Sequence, residues 1–114
     1  MKVFLDDERV APDDSWTVVK TAKEAIDLLS NNKVNSLSLD HDLGNESFGT
    51  GYDVLVWIEE QVYYSDYNPP KSITIHTLNP SARERMRVCL LSIRRICERK
   101  GMHINCFVHI YDSK

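Results

Sequence analysis

The sequence predicts an α/β domain built on a largely parallel sheet, and three observations lead there. Short apolar segments alternate with amphipathic helical segments in the order β, β, α, β, α, β, α, β, the spacing of βα units joined by right-handed crossovers. Each helical segment opens with its own start signal. Finally, the polar clusters Asp6-Asp7, Asp40-His41-Asp42 and His76-Thr77-Leu78-Asn79 directly follow three of the strand segments. They fall at the carboxyl ends of strands, where open sheets of this type bind ligands.

Lys2-Val3-Phe4-Leu5 reads as a first short strand that ends at Asp6-Asp7. A polar connection, ERVAPDDS, leads to a second strand over residues 16–20, WTVVK. Thr21 and Glu24 have capping-box spacing, and the helix they open sets Ala22, Ala25, Ile26 and Leu29 on one face, running to about Asn31 or Asn32. SLSLD supplies the next strand. After the Gly-punctuated loop NESFGTG, Thr50-Gly51-Tyr52-Asp53 opens a helix whose apolar side is Val54, Leu55, Trp57 and Ile58, and Pro69-Pro70 excludes its continuation. Residues 72–76, SITIH, form the clearest later strand. Asn79 as N-cap with Pro80 in the first turn starts a helix reaching Lys100, with Met86, Cys89, Leu90, Ile93, Ile96 and Cys97 inward and Gly101 as its stop. Residues 106–111, CFVHIY, form the last strand.

With 114 residues, the chain is expected to be a single domain, 1–114, able to bury a core without staples. An apolar content of 42% against 27% charged residues argues against disorder. The apolar start is too short for a signal peptide and no run approaches a membrane span. Cys89, Cys97 and Cys106 contain no CxxC pair and read as buried thiols of a cytoplasmic protein. A net charge of −3 conceals an asymmetry: residues 1–66 carry −9 and residues 81–100 carry +5. Acidic groups binding a cation beside basic groups facing an anion would produce this split, as would a solvated basic helix on an acidic domain.

Carboxylates converging at strand ends repel unless a hard cation sits among them or some remain protonated. Asp6 or Asp7 with Asp40 suits magnesium (or manganese), which takes oxygen ligands and phosphate oxygens; Asp42 is a further candidate ligand. The same side chains could instead only cap turns. His41 and His76 are candidates for proton transfer because imidazole titrates near neutrality, whereas His103 and His109 read as structural. From His76 to Arg83 the chain can form an anion seat: helix amides, the Thr77 and Ser81 hydroxyls, Asn79 and the Arg83 guanidinium. A well-capped helix accounts for the same residues without a ligand. Arg85, Arg87, Arg94, Arg95 and Arg99 could meet a nucleic-acid backbone, although no aromatic residues interleave with them. The tyrosines of WIEEQVYYSDY are expected to pack in core and loop.

LDDER, SLDHDLG, TGYDVLVWIE and IHTLNPSARERM, in this order, resemble the receiver domains of response regulators and, more specifically, the cyclic-phosphate processing receiver domain family. That resemblance implies a flavodoxin/receiver-like three-layer sandwich with a five-stranded parallel sheet. It implies a magnesium site of Asp6, Asp7 and Asp40, a phosphate side of His76, Thr77 and Asn79, and Arg9, His41, Asp42 and Arg83 in the same pocket. Asp40 stands where a signalling receiver has its phosphoacceptor. The connection from Asp7 to Trp16 is too short for the first receiver helix, so that helix is expected to be shortened or absent. CFVHIYDSK lacks the Lys-Pro of signalling receivers, and Thr77 and Ala82 stand where the closer family is expected to have Ser and Gly. The function implied is that of a hydrolase: magnesium-dependent phosphoesterase processing of cyclic phosphates on RNA ends or nucleotides. The alternative is a non-catalytic receiver-like module that binds a nucleotide, RNA or a protein, and phosphorelay signalling ranks below both.

Overall fold

A computed structural model describes residues 1–109. Its strands are β1 (Lys2–Leu5), β2 (Trp16–Val19), β3 (Ser36–Leu39), β4 (Ser72–Ile75) and β5 (Asn105–Val108). They form one parallel sheet in the order β2-β1-β3-β4-β5. The helices are α1 (Ala22–Ser30), α2 (Gly51–Tyr64) and α3 (Pro80–Arg99). This is the expected receiver-like α/β fold, with boundaries moved by a residue or so. The final strand begins at Asn105, and the expected positions Ile110 and Tyr111 lie outside the described residues. None of the helices among the described residues is long and apolar enough to cross a membrane.

The start signals do what their chemistry allows. Thr50 and Asp53 form a complete capping box, with Thr50 N–H donating to Asp53 at 2.9 Å and Asp53 N–H to the Thr50 hydroxyl at 3.2 Å. Thr21 forms half of one: its hydroxyl accepts from Glu24 N–H and donates to the Glu24 carboxylate. Asn79 caps α3 by accepting from Ala82 N–H, and Gly101 follows the Lys100 C-cap.

Sheet order fixes where the helices lie. The connections β2–β3, β3–β4 and β4–β5 all advance in one direction across the sheet, so right-handed crossovers put α1, α2 and α3 on the same face. There Val3, Leu5, Leu37, Leu39, Ile73 and Ile75 pack with Leu29, Leu55, Ile58, Met86, Leu90 and Ile93 into one core. Only β1–β2 advances the other way, and a helix in it would cover the opposite face. Residues 6–15 form no helix, as expected from their length. Phe4, Trp16, Ser38 and Thr74 occupy that opposite face, with the irregular connector at its upper end.

Candidate functional site

The strand register builds the site. Leu5 pairs with Leu39, and Leu39 with Ile75, each side chain turned into the helix-covered core. One residue further on, alternation turns Asp6, Asp40 and His76 to the other face in a row along the carboxyl edge. Backbone bonds extend the ladder through that row: Asp40 N–H donates to Leu5 at 2.9 Å and His76 N–H to Leu39 at 2.8 Å.

Asp6 is almost completely buried and fully engaged. Its Oδ1 accepts from the backbone N–H groups of Glu8 and Arg9, both at 2.9 Å, which folds the chain back after β1. Its Oδ2 meets Arg9 Nη1 and His76 Nε2, both at 3.0 Å. Burial alone would raise its pKa. The Arg9 and Glu8 amides, the Arg9 guanidinium and His76 outweigh burial and hold the carboxyl below its ordinary range.

The turn brings Asp7 to the same place. Asp6, Asp7 and Asp40 each offer a ligand oxygen, all within 4.8 Å of one another. Gly44 makes room for Asp7: it adopts φ +81°, and a Cβ there would stand 2.7 Å from Asp7 Oδ2. Asp40 accepts from His41 N–H at 2.8 Å, and its Oδ2 lies 3.3 Å from Arg9 Nη1. Burial, with the charge of Asp6, pushes its carboxyl above the usual range against bonds from His41 and Thr77 and the charge of Arg9. Three clustered carboxylate oxygens, one of them on a group whose ionisation is opposed, are a donor set that fits a hard divalent cation.

The other expected site residues divide. Asp7, Arg9, Asp40, Asp42, Thr77 and Asn79 line one cavity of about 260 Å³. Asp42 lies outside the three-carboxylate group: its Oδ1 is 2.8 Å from His41 Nδ1, its Oδ2 is 3.5 Å from Asn79 Nδ2, and the His41 bond leads in lowering its pKa. Three positions past the end of β3, it has left the row that alternation sets up. Arg83 donates to the Thr77 carbonyl at 3.3 Å and tethers the start of α3 rather than lining the cavity. The helix start also offers fewer donors than its sequence implies, because Pro80 has no N–H and Asn79 takes those of Ala82 and Arg83.

Both histidines stand behind the carboxylates. His76 bridges Asp6 and Ser38, whose Oγ is 2.6 Å from Nδ1, and burial keeps its imidazole below its ordinary pKa despite Asp6. His41 bridges Asp42 and Arg85, whose Nη2 is 3.5 Å from Nε2. The sequence reading gave no part to Ser38 or Gly44, and offered Arg85 only to a nucleic-acid backbone. The first had a signal, a serine on the polar side of an alternating strand, but no sequence feature pointed to its partner thirty-eight residues away.

Comparison with curated proteins and with solved structures found no match. One family model, the cyclic-phosphate processing receiver domain, matches residues 1–92, a span that holds β1 to β4, most of α3 and the whole carboxylate cavity. By that match over most of its length, the chain belongs to the cyclic-phosphate processing receiver domain family.

Proposed function

We propose that this protein is a magnesium-dependent phosphoesterase that opens a cyclic phosphate on an RNA end or a nucleotide. The observation that supports it best is the meeting of Asp6, Asp7 and Asp40 at the edge of a cavity that Asp7 and Asp40 line together with Arg9, Thr77 and Asn79. Magnesium, or manganese in its place, would be held by the three carboxylates and would supply Lewis acidity for the charge that develops at phosphorus.

The chain's own groups do the rest. Arg9 and the Asn79 amide bind the phosphate oxygens and present the ring to an attacking water. Thr77, whose hydroxyl bonds Asp40, keeps that carboxylate turned inward. Asp42 lines the cavity and leans on His41, so this pair accepts the proton of the water. The water oxygen bonds to phosphorus, one ring P–O bond breaks, and the released oxygen takes up a proton, leaving a phosphomonoester. His76 acts as a positioning residue for Asp6. On α3, Arg87 and Arg94 pair with Glu84 and Glu98, which makes RNA-backbone contact by this helix an auxiliary part of the proposal.

One observation favours the second reading, a binding module without turnover: Arg9 already bridges Asp6 and Asp40 as an internal counter-ion. The deciding assay offers RNA ending in a 2′,3′-cyclic phosphate, and free cyclic mononucleotides, with magnesium and with chelator. Metal-dependent monoester product that disappears in Asp40→Asn supports the phosphoesterase. Absence of product with every substrate, alongside saturable magnesium binding, supports the module.

A further inference from the structure

The missing first helix leaves a second cavity, of about 360 Å³, beside the carboxylate cavity. Its base is the opposite face of the sheet, where Phe4, Ser38 and Thr74 are register partners across β1, β3 and β4. Trp16 and His76 also line it, as do Val10 and Pro12 of the connector. Arg9 lines both cavities, so one side chain separates this space from the phosphate seat.

We propose that this cavity seats the nucleobase of the substrate, so that the protein acts on nucleoside cyclic phosphates rather than on any cyclic phosphodiester. The proposal rests on the phosphoesterase reading and deepens it. A base needs a flat apolar slot with hydrogen-bonding groups at its edge, and the volume is that of a small-ligand pocket. Phe4 lies against His76 with ring centres 4.5 Å apart and planes 6° apart, and Trp16 meets Phe4 edge-on at 75°. Phe4 and His76 thus cover each other and are buried, and the half-buried Trp16 at their edge supplies the aromatic surface on which a base can stack.

The edge groups are Ser38 and Thr74. His76 Nε2 faces the Asp6 carboxylate and so carries the ring proton, which leaves Nδ1 to accept from the Ser38 hydroxyl. Ser38 Oγ, its proton committed, remains an acceptor for a base N–H, and the Thr74 hydroxyl can both give and accept. An all-parallel sheet normally has both faces covered. A second copy of the chain is therefore the competing occupant, and the test includes it.

The test compares 2′,3′-cyclic AMP with glycerol 1,2-cyclic phosphate, which has the ring but no base, in the full chain with magnesium. The expected advantage of the nucleotide is about tenfold or more in kcat/KM, carried by KM, from the scale of base–aromatic stacking. Trp16→Ala and Thr74→Val should each shrink that ratio. Equal kcat/KM for the two compounds overturns the base seat and leaves the phosphoesterase standing. If neither is turned over, adenosine alone decides the seat. Saturable shifts in the amide resonances of Phe4, Ser38 and Thr74 that weaken in Trp16→Ala support it. No shift there, or a concentration-dependent dimer that adenosine leaves intact, overturns it.

Discussion

Replacing Asp40 by asparagine should have opposite effects on stability with and without magnesium. Without the ion, the wild-type chain folds with Asp40 only 6% exposed and against Asp6, and burial with that like charge disfavours the ionised form. A carboxyl whose folded pKa is raised lowers stability above that pKa and costs nothing below its unfolded value. Asparagine keeps the oxygen that accepts from His41 N–H and removes the charge. In chelator at neutral pH the variant should therefore melt at or above the wild type. With magnesium the order should reverse. At ten times its dissociation constant, an ion that binds only the folded chain adds about 1.4 kcal/mol. Near 114 residues that corresponds to a rise of roughly 6 °C in Tm, and the variant should show little of it. Thermal melts of both proteins over a magnesium series measure this directly. Parallel curves, with the same rise in both proteins, would refute the assignment of Asp40 to a cation site.

Gly51→Ala should destabilise strongly for want of space: a Cβ there would lie 1.9 Å from the Asp40 carbonyl oxygen and 2.9 Å from Met86 Cε. The expected cost is ~3 kcal/mol or more in urea unfolding, and a midpoint matching the wild type would mean that α2 does not start against β3 as described. Tyr67 gives a pH dependence. Burial pushes its phenol up to about 12 from 10.0, and its hydroxyl donates to the Leu29 carbonyl at 3.0 Å. With the folded pKa raised, its contribution is complete below pH 10.0 and is lost as pH rises through about 12. The stability difference between the wild type and Tyr67→Phe should narrow across that window, and a constant difference would contradict the burial of the phenol.

The sequence made the site's main chain legible and left much of its side-chain pairing hidden. Alternation in SLSLD and the capping pairs at Thr50 and Asn79 are local, so strand ends and helix starts followed from a few neighbouring residues. Placing Asp6 beside Asp40 also requires sheet order, which periodicity alone does not supply. Beyond a strand end the period of two no longer governs direction. Asp42, a candidate ligand by its residue type, lies in the same cavity but outside the three-carboxylate group, bonded to His41. The histidines show the same limit. Their residue type and position suggested proton transfer, while their partners Ser38 and Arg85 are distant in sequence and placed them behind the carboxylates.

The connector between β1 and β2 ties these features together. Because it is too short for a helix, it must turn immediately after Leu5, and the turn is made by Asp6 accepting the Glu8 and Arg9 amides. That turn brings Asp7 beside Asp40 and returns Arg9 across both Asp6 and Asp40. The same shortness leaves Phe4, Ser38 and Thr74 beneath a cavity instead of a helix. Restoring a helix there would have to displace Arg9 from the cluster and fill the cavity together. The candidate cation site and the space proposed for the base are therefore two consequences of one shortened connection, and a change in its length should perturb both.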